Sequence, residues 1–147
     1  MNNIYKILTF IFISIIAAYA SHLLNSSFAN KFAENILALL TTLFAINIAS
    51  STLIASKIRE IQDKTSYAFK KSKTSLKSVF HEQIVIIVIA FVASLLRESS
   101  ILQDFLSKKI VCILSDSVIF FTFIFFIDVI KDIGVALFEL LDFEEKE

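Results

Sequence analysis

The sequence predicts an all-α, polytopic membrane protein with four transmembrane helices. Three observations point there. The 147 residues are 56 % hydrophobic, with a mean hydropathy of +0.77. They include one glycine and no proline, where a soluble domain carries about 7 % and 5 %. Charge-free stretches alternate with charged punctuation. The shortage of turn formers excludes a fold built from many tight turns, and a single cysteine excludes a disulfide scaffold. Fourteen basic residues balance fourteen acidic ones, so bulk charge draws no nucleic acid, and no direct nucleic-acid binding is expected.

The first span, Ile7 to Leu24, lies in an interval without Lys, Arg, Asp or Glu between Lys6 and Lys31. The second runs from Asn35 to Ser56, between Glu34 and Lys57. Each offers the roughly 20 apolar residues that a bilayer core of about 30 Å requires. The first also resembles a signal peptide, with Lys6, an apolar run and Ala18-Tyr19-Ala20; we read it as a retained helix. The third span, Gln83 to Leu96, has 14 uncharged residues, about 21 Å of helix and too short alone. It spans if Val79–Glu82 and Arg97 reach the interfaces, with Arg97 snorkelling. The fourth, Ile110 to Ile127, contains one charge, Asp116.

Seven basic residues (Lys57, Arg59, Lys64, Lys70, Lys71, Lys73 and Lys77) lie between spans two and three. The positive-inside rule places that loop in the cytoplasm, and four spans place both termini there too. The expected location is a bacterial inner membrane.

Within a bilayer, helices associate through close packing and polar contacts. Ala38, Thr42, Ala45, Ala49, Thr52 and Ser56 form a narrow stripe of small residues on span two, and Ser14, Ala18 and Ser21 a shorter one on span one. These stripes predict close helix approach within one chain or between copies; a pore lining is the alternative. Asn47 needs a partner in the bilayer, either across a homo-oligomer axis or on a neighbouring helix. Asp116 sits roughly 10 Å below the interface, where a charge faces the bundle interior and pairs. Arg97 is at a matching depth, so the expectation is an Asp116–Arg97 pair that docks helices three and four, or a proton- or ion-sensitive trigger. The five phenylalanines between Phe120 and Phe126 go nearly all round their helix and read as packing.

The whole chain, 1–147, reads as one membrane domain with two appendages. In 57–80, apolar residues recur every three or four positions, so helices two and three project beyond the membrane and meet near Lys73-Thr74-Ser75. Lys70, Lys71, Lys73 and Lys77 there are candidates for contact with anionic lipid or an acidic partner, with nucleic acid as a further class for the cluster at 70–73, or serve simply as the topogenic positive-inside signal. In 128–147, Ile130, Ile133, Leu137, Leu140 and Leu141 form an apolar face, and Asp128, Asp132, Glu139 and Asp142 an acidic one. An acidic amphipathic helix is repelled by anionic membrane, so this face, with Glu139, Asp142 and Phe143, is expected to meet protein: the basic loop, a neighbouring copy or a cytoplasmic partner. Gly134 is the expected point of a bend or close contact.

No catalytic, metal or cofactor site is readable. His22 and His81 fall on opposite membrane faces, Cys112 lacks an evident base, and no nucleophile-elbow, zinc or phosphate-loop motif occurs. A transporter is disfavoured by the absence of repeats and broken helices. An oligomeric sensor or anchor with a cytoplasmic partner, a holin-like pore, and an immunity protein against a pore-forming toxin remain. In span count, topology and size the chain resembles the small four-helix membrane components of bacterial anti-phage defence systems, such as that of Kiwa. The resemblance implies a tetrameric inner-membrane sensor paired with a cytoplasmic DNA-binding effector.

Overall fold

The computed structural model describes residues 3–24, 26–65 and 70–144, with the side chains of 3, 63–65, 70–73, 75 and 139–144 outside that description. Among the described residues the chain is all-helical, without strands. Its helices are α1 (Asn3–Leu23), α2 (Phe28–Thr65), α3 (Lys70–Glu98), α4 (Ser100–Phe105) and α5 (Lys108–Glu144). Four of them are long and apolar enough to cross a membrane, over Ile4–Leu23, Phe28–Gln62, Leu76–Glu98 and Lys108–Phe138. The third reaches 23 residues because Leu76–Glu82 continues the helix below Gln83 without a break. α4 is a short addition at the turn between α3 and α5. Ser99 caps it, accepting the Leu102 N–H at its hydroxyl.

α5 is the hub. It packs against α1, α2 and α3, whereas α1 and α2 barely meet. The phenylalanines explain why α5 takes this place. Phe120 and Phe126 are buried, and the Phe32 ring lies 5.1 Å from both Phe120 and Phe123, stacked on one and edge-on to the other. Offset and edge-to-face rings add attraction beyond simple contact. Small residues opposite make room: Ala90 and Ala93 of α3 share a cluster with Ile36, Leu40, Ile119 and Phe126, and Ala18 of α1 one with Phe120.

The two small-residue stripes separate. Ser14, Ala18 and Ser21 are buried, on the helix that packs on α5. All six residues of the α2 stripe, Ala38 to Ser56, are exposed on the face opposite the core, so the stripe is no seam within the chain. The buried face of α2 carries Ala33, Ile36, Leu40, Asn47, Ser51, Ile54 and Ile58 instead. The reason is local: Thr42 donates to the Ala38 carbonyl and Thr52 to the Ile48 carbonyl, both at 2.8 Å. Hydroxyls satisfied by their own helix need no neighbour, so bulk decides which face turns inward.

Beyond the apolar centre, Val129 and Ile133 of α5 pack with Ile54 and Ile58 of α2, with Leu76, Val79 and Leu137 against them. The apolar face of the C-terminal extension is thus covered, as far as Leu137, by the same chain. Lys73-Thr74-Ser75 lie inside α3, which begins at Lys70, rather than at a junction between helices. α5 runs unbroken through Gly134, where an added Cβ would meet nothing within 4 Å. Gly134 therefore makes no close contact.

Candidate functional site

Polar side chains from four helices meet at one end of the bundle. Asp116, in the third turn of α5, is 1 % exposed. Arg97, in the last turn of α3, donates its Nε–H to Asp116 Oδ1 over 2.8 Å. His22, in the last turn of α1, sets Nε2 2.9 Å from Asp116 Oδ2. A carboxylate only accepts, so that nitrogen carries the proton. A terminal guanidinium nitrogen of Arg97 donates to Asn30 Oδ1 in the first turn of α2, and Gln103 of α4 donates to the Arg97 carbonyl at 3.0 Å. One carboxylate and one guanidinium thus connect the four long helices, α1, α2, α3 and α5.

The local sequence explains the positions. The C-terminal ends of α1 and α3 attract positive charge through the helix dipole, which suits Arg97. Antiparallel order brings both ends to the level where α5 and α2 begin. A lone carboxylate at that depth is costly without partners, and Asp116 has two.

Beside this knot lies a cleft of about 280 Å³ lined by Ser21, His22, Ser26, Ser27, Ala29 and Asn30. Ser21 Oγ is buried there with no hydrogen-bond partner among the described residues. A second pocket of about 300 Å³ between α3 and α5 is lined almost wholly by apolar side chains, among them Val88, Val92, Leu96 and Leu114.

At the opposite end, Lys6 of α1 pairs with Asp128 of α5. α1 is therefore fastened to the hub by an ion pair at one end and the His22–Asp116 bond at the other.

Of the residues singled out from the sequence, Asp116 and Arg97 come together. Asn47 does not join them: it is 2 % exposed within the chain, and its Nδ2 has no partner among the described residues. A side chain so enclosed has no access to an axis between copies. Lys77 is exposed. The side chains of Lys70, Lys71, Lys73, Glu139, Asp142 and Phe143 lie outside the described residues. His22 and Asn30 were not anticipated as site residues. A signal existed for His22: it is the one histidine in the long interval from Lys6 to Lys31. None existed for Asn30, since an amide near a helix start ordinarily reads as a cap.

Among the described residues no three of His, Cys, Asp and Glu gather to hold a metal. The arrangement can fasten helices and present hydrogen-bond donors to the cleft. Comparison of the chain with protein-family models, curated proteins and solved structures finds no match.

Proposed function

We propose that the chain is a non-enzymatic, oligomeric inner-membrane sensor or anchor that recruits or signals to a cytoplasmic effector. The observation that carries the reading is the knot at Asp116. It ties all four spans at one end, while α2, α3 and α5 run from that end as rods of 38, 29 and 37 residues. At 1.5 Å per residue these are about 57, 43 and 55 Å long, beyond a bilayer core of about 30 Å. The basic residues of 57–77 put the far end in the cytoplasm by the positive-inside rule. A rearrangement at the knot then shifts the rods, and the effector reads their distal surfaces. The exposed face of α2 is the surface offered to further copies. The defence-system resemblance in size and topology supports a role in anti-phage immunity.

Affinity purification in mild detergent, with neighbouring genes co-expressed, tests this. The expected result is a stoichiometric cytoplasmic partner whose association changes in Asp116→Asn. Absence of a partner together with rapid depolarisation on induction would replace the reading by a pore. Protection against one toxin without a partner would replace it by an immunity protein.

A further inference from the structure

We infer that the cleft between the end of α1 and the start of α2 binds a small oxyanion of the phosphate type. The proposal names an input for the sensor and rests on that reading for its consequence, though binding is measurable without it. The cleft presents donors. Ser14, Ser94 and Ser117 each turn the hydroxyl onto the carbonyl four residues back in their own helix. Ser21 is 8 % exposed, lines the cleft, and its Oγ has no hydrogen-bond partner among the described residues. A buried hydroxyl left unpaired is costly, and a ligand oxygen is the partner this position lacks.

The remaining donors share that polarity. Asn30 also lines the cleft, and Arg97 occupies its Oδ1, which leaves its NH2 group to donate. In the first turn of α2, the Phe28 N–H is taken by Ser26 Oγ and the Lys31 N–H by the Ser27 carbonyl. Among the described residues nothing takes the N–H of Asn30, at the positive end of a long helix, a setting that favours anions. The neighbouring Asp116 charge is already matched by Arg97 at 2.8 Å, so it opposes an anion only weakly. At about 280 Å³ the space is at the lower limit for ligand pockets, which suits a phosphate or phosphomonoester head rather than a larger organic ligand.

Two sources share this chemistry, a soluble phosphate and a phosphomonoester lipid headgroup. The full chain in maltoside detergent, which contains no phosphate, distinguishes them. Thermal unfolding is followed with inorganic phosphate, with phosphatidic acid, and with chloride at matched ionic strength. A rise with inorganic phosphate assigns the soluble source, and a rise with phosphatidic acid alone assigns the lipid. In either case Ser21→Ala weakens the apparent affinity about tenfold, the loss of a hydrogen bond to a charged group, while Ser14→Ala leaves it unchanged. No rise over chloride with either probe, or an equal rise in Ser21→Ala, overturns the proposal. Co-purification of the effector is scored separately, so failure here leaves the sensor reading standing, and the converse holds.

Discussion

His22 and Asp116 are 94 positions apart in the chain, yet His22 Nε2 lies 2.9 Å from Asp116 Oδ2. With the Arg97 bond to the other carboxylate oxygen, Asp116 of α5 holds a side chain of α1 and one of α3 at once. Its removal strands two donors at once. Asp116→Ala should therefore lower stability by about 3 kcal/mol, read as a shifted unfolding midpoint in mild detergent. Arg97→Met added to Asp116→Leu should recover much of the loss, because replacing both charges leaves neither unpaired. A double variant as unstable as Asp116→Ala would show that packing, rather than charge pairing, governs the site.

The Lys6–Asp128 pair fastens the other end of α1. It lies 12 residues along α5 from Asp116, about 18 Å, beyond the range at which substitutions ordinarily couple. With Lys6 about a third exposed, Lys6→Ala should cost only about 0.5–1 kcal/mol. Its effect should add to that of His22→Ala to within about 0.5 kcal/mol. The double variant should free α1 from α5 and raise the maleimide reactivity of a cysteine placed at Ser14, in a Cys112→Ala background. Strong non-additivity in the measured midpoints would contradict two independent fastenings.

What could be read from the sequence was mostly local. A charge-free run of sufficient length is a property of consecutive residues, so all four spans and the pairing depth of Asp116 and Arg97 were legible. Side-chain chemistry that depends on competition was not. Thr42 and Thr52 resembled interface residues because they are small and polar, but each is satisfied by its own helix. Nothing in the spacing distinguishes a hydroxyl that turns back from one that reaches out. The choice of α5 as hub follows from how bulky phenylalanines meet small residues on three different helices, and no single segment encodes that.

The stripe on α2 and the alanines of α3 have similar composition and opposite surroundings, which separates two kinds of substitution. Ala90 and Ala93 are 0 % and 4 % exposed, so Ala90→Leu should force bulk into the packed centre and cost about 1–3 kcal/mol. Ala45→Leu and Ala49→Leu fall on an open face and should leave the unfolding midpoint within about 0.5 kcal/mol. Should α2 meet a second copy there, the same two substitutions will lower the oligomer mass measured by light scattering in detergent. Destabilisation of the single chain by Ala45→Leu would mean that this face is already covered.

Gln83 is 0 % exposed, and among the described residues neither its Oε1 nor its Nε2 has a partner. It lies on α3 within the stretch that is long and apolar enough to cross a membrane. An amide in that setting forgoes the hydrogen bonds it would make in water, at a cost of about 1–3 kcal/mol. Gln83→Met keeps length and flexibility and removes both polar atoms. It should raise stability by about 1 kcal/mol, and Asn47→Leu should do the same to a smaller extent, because only Nδ2 of that amide is orphaned. A drop in the unfolding midpoint of Gln83→Met would show instead that a water molecule or an ion bridges the amide, and that the enclosed polar atoms are kept for that contact.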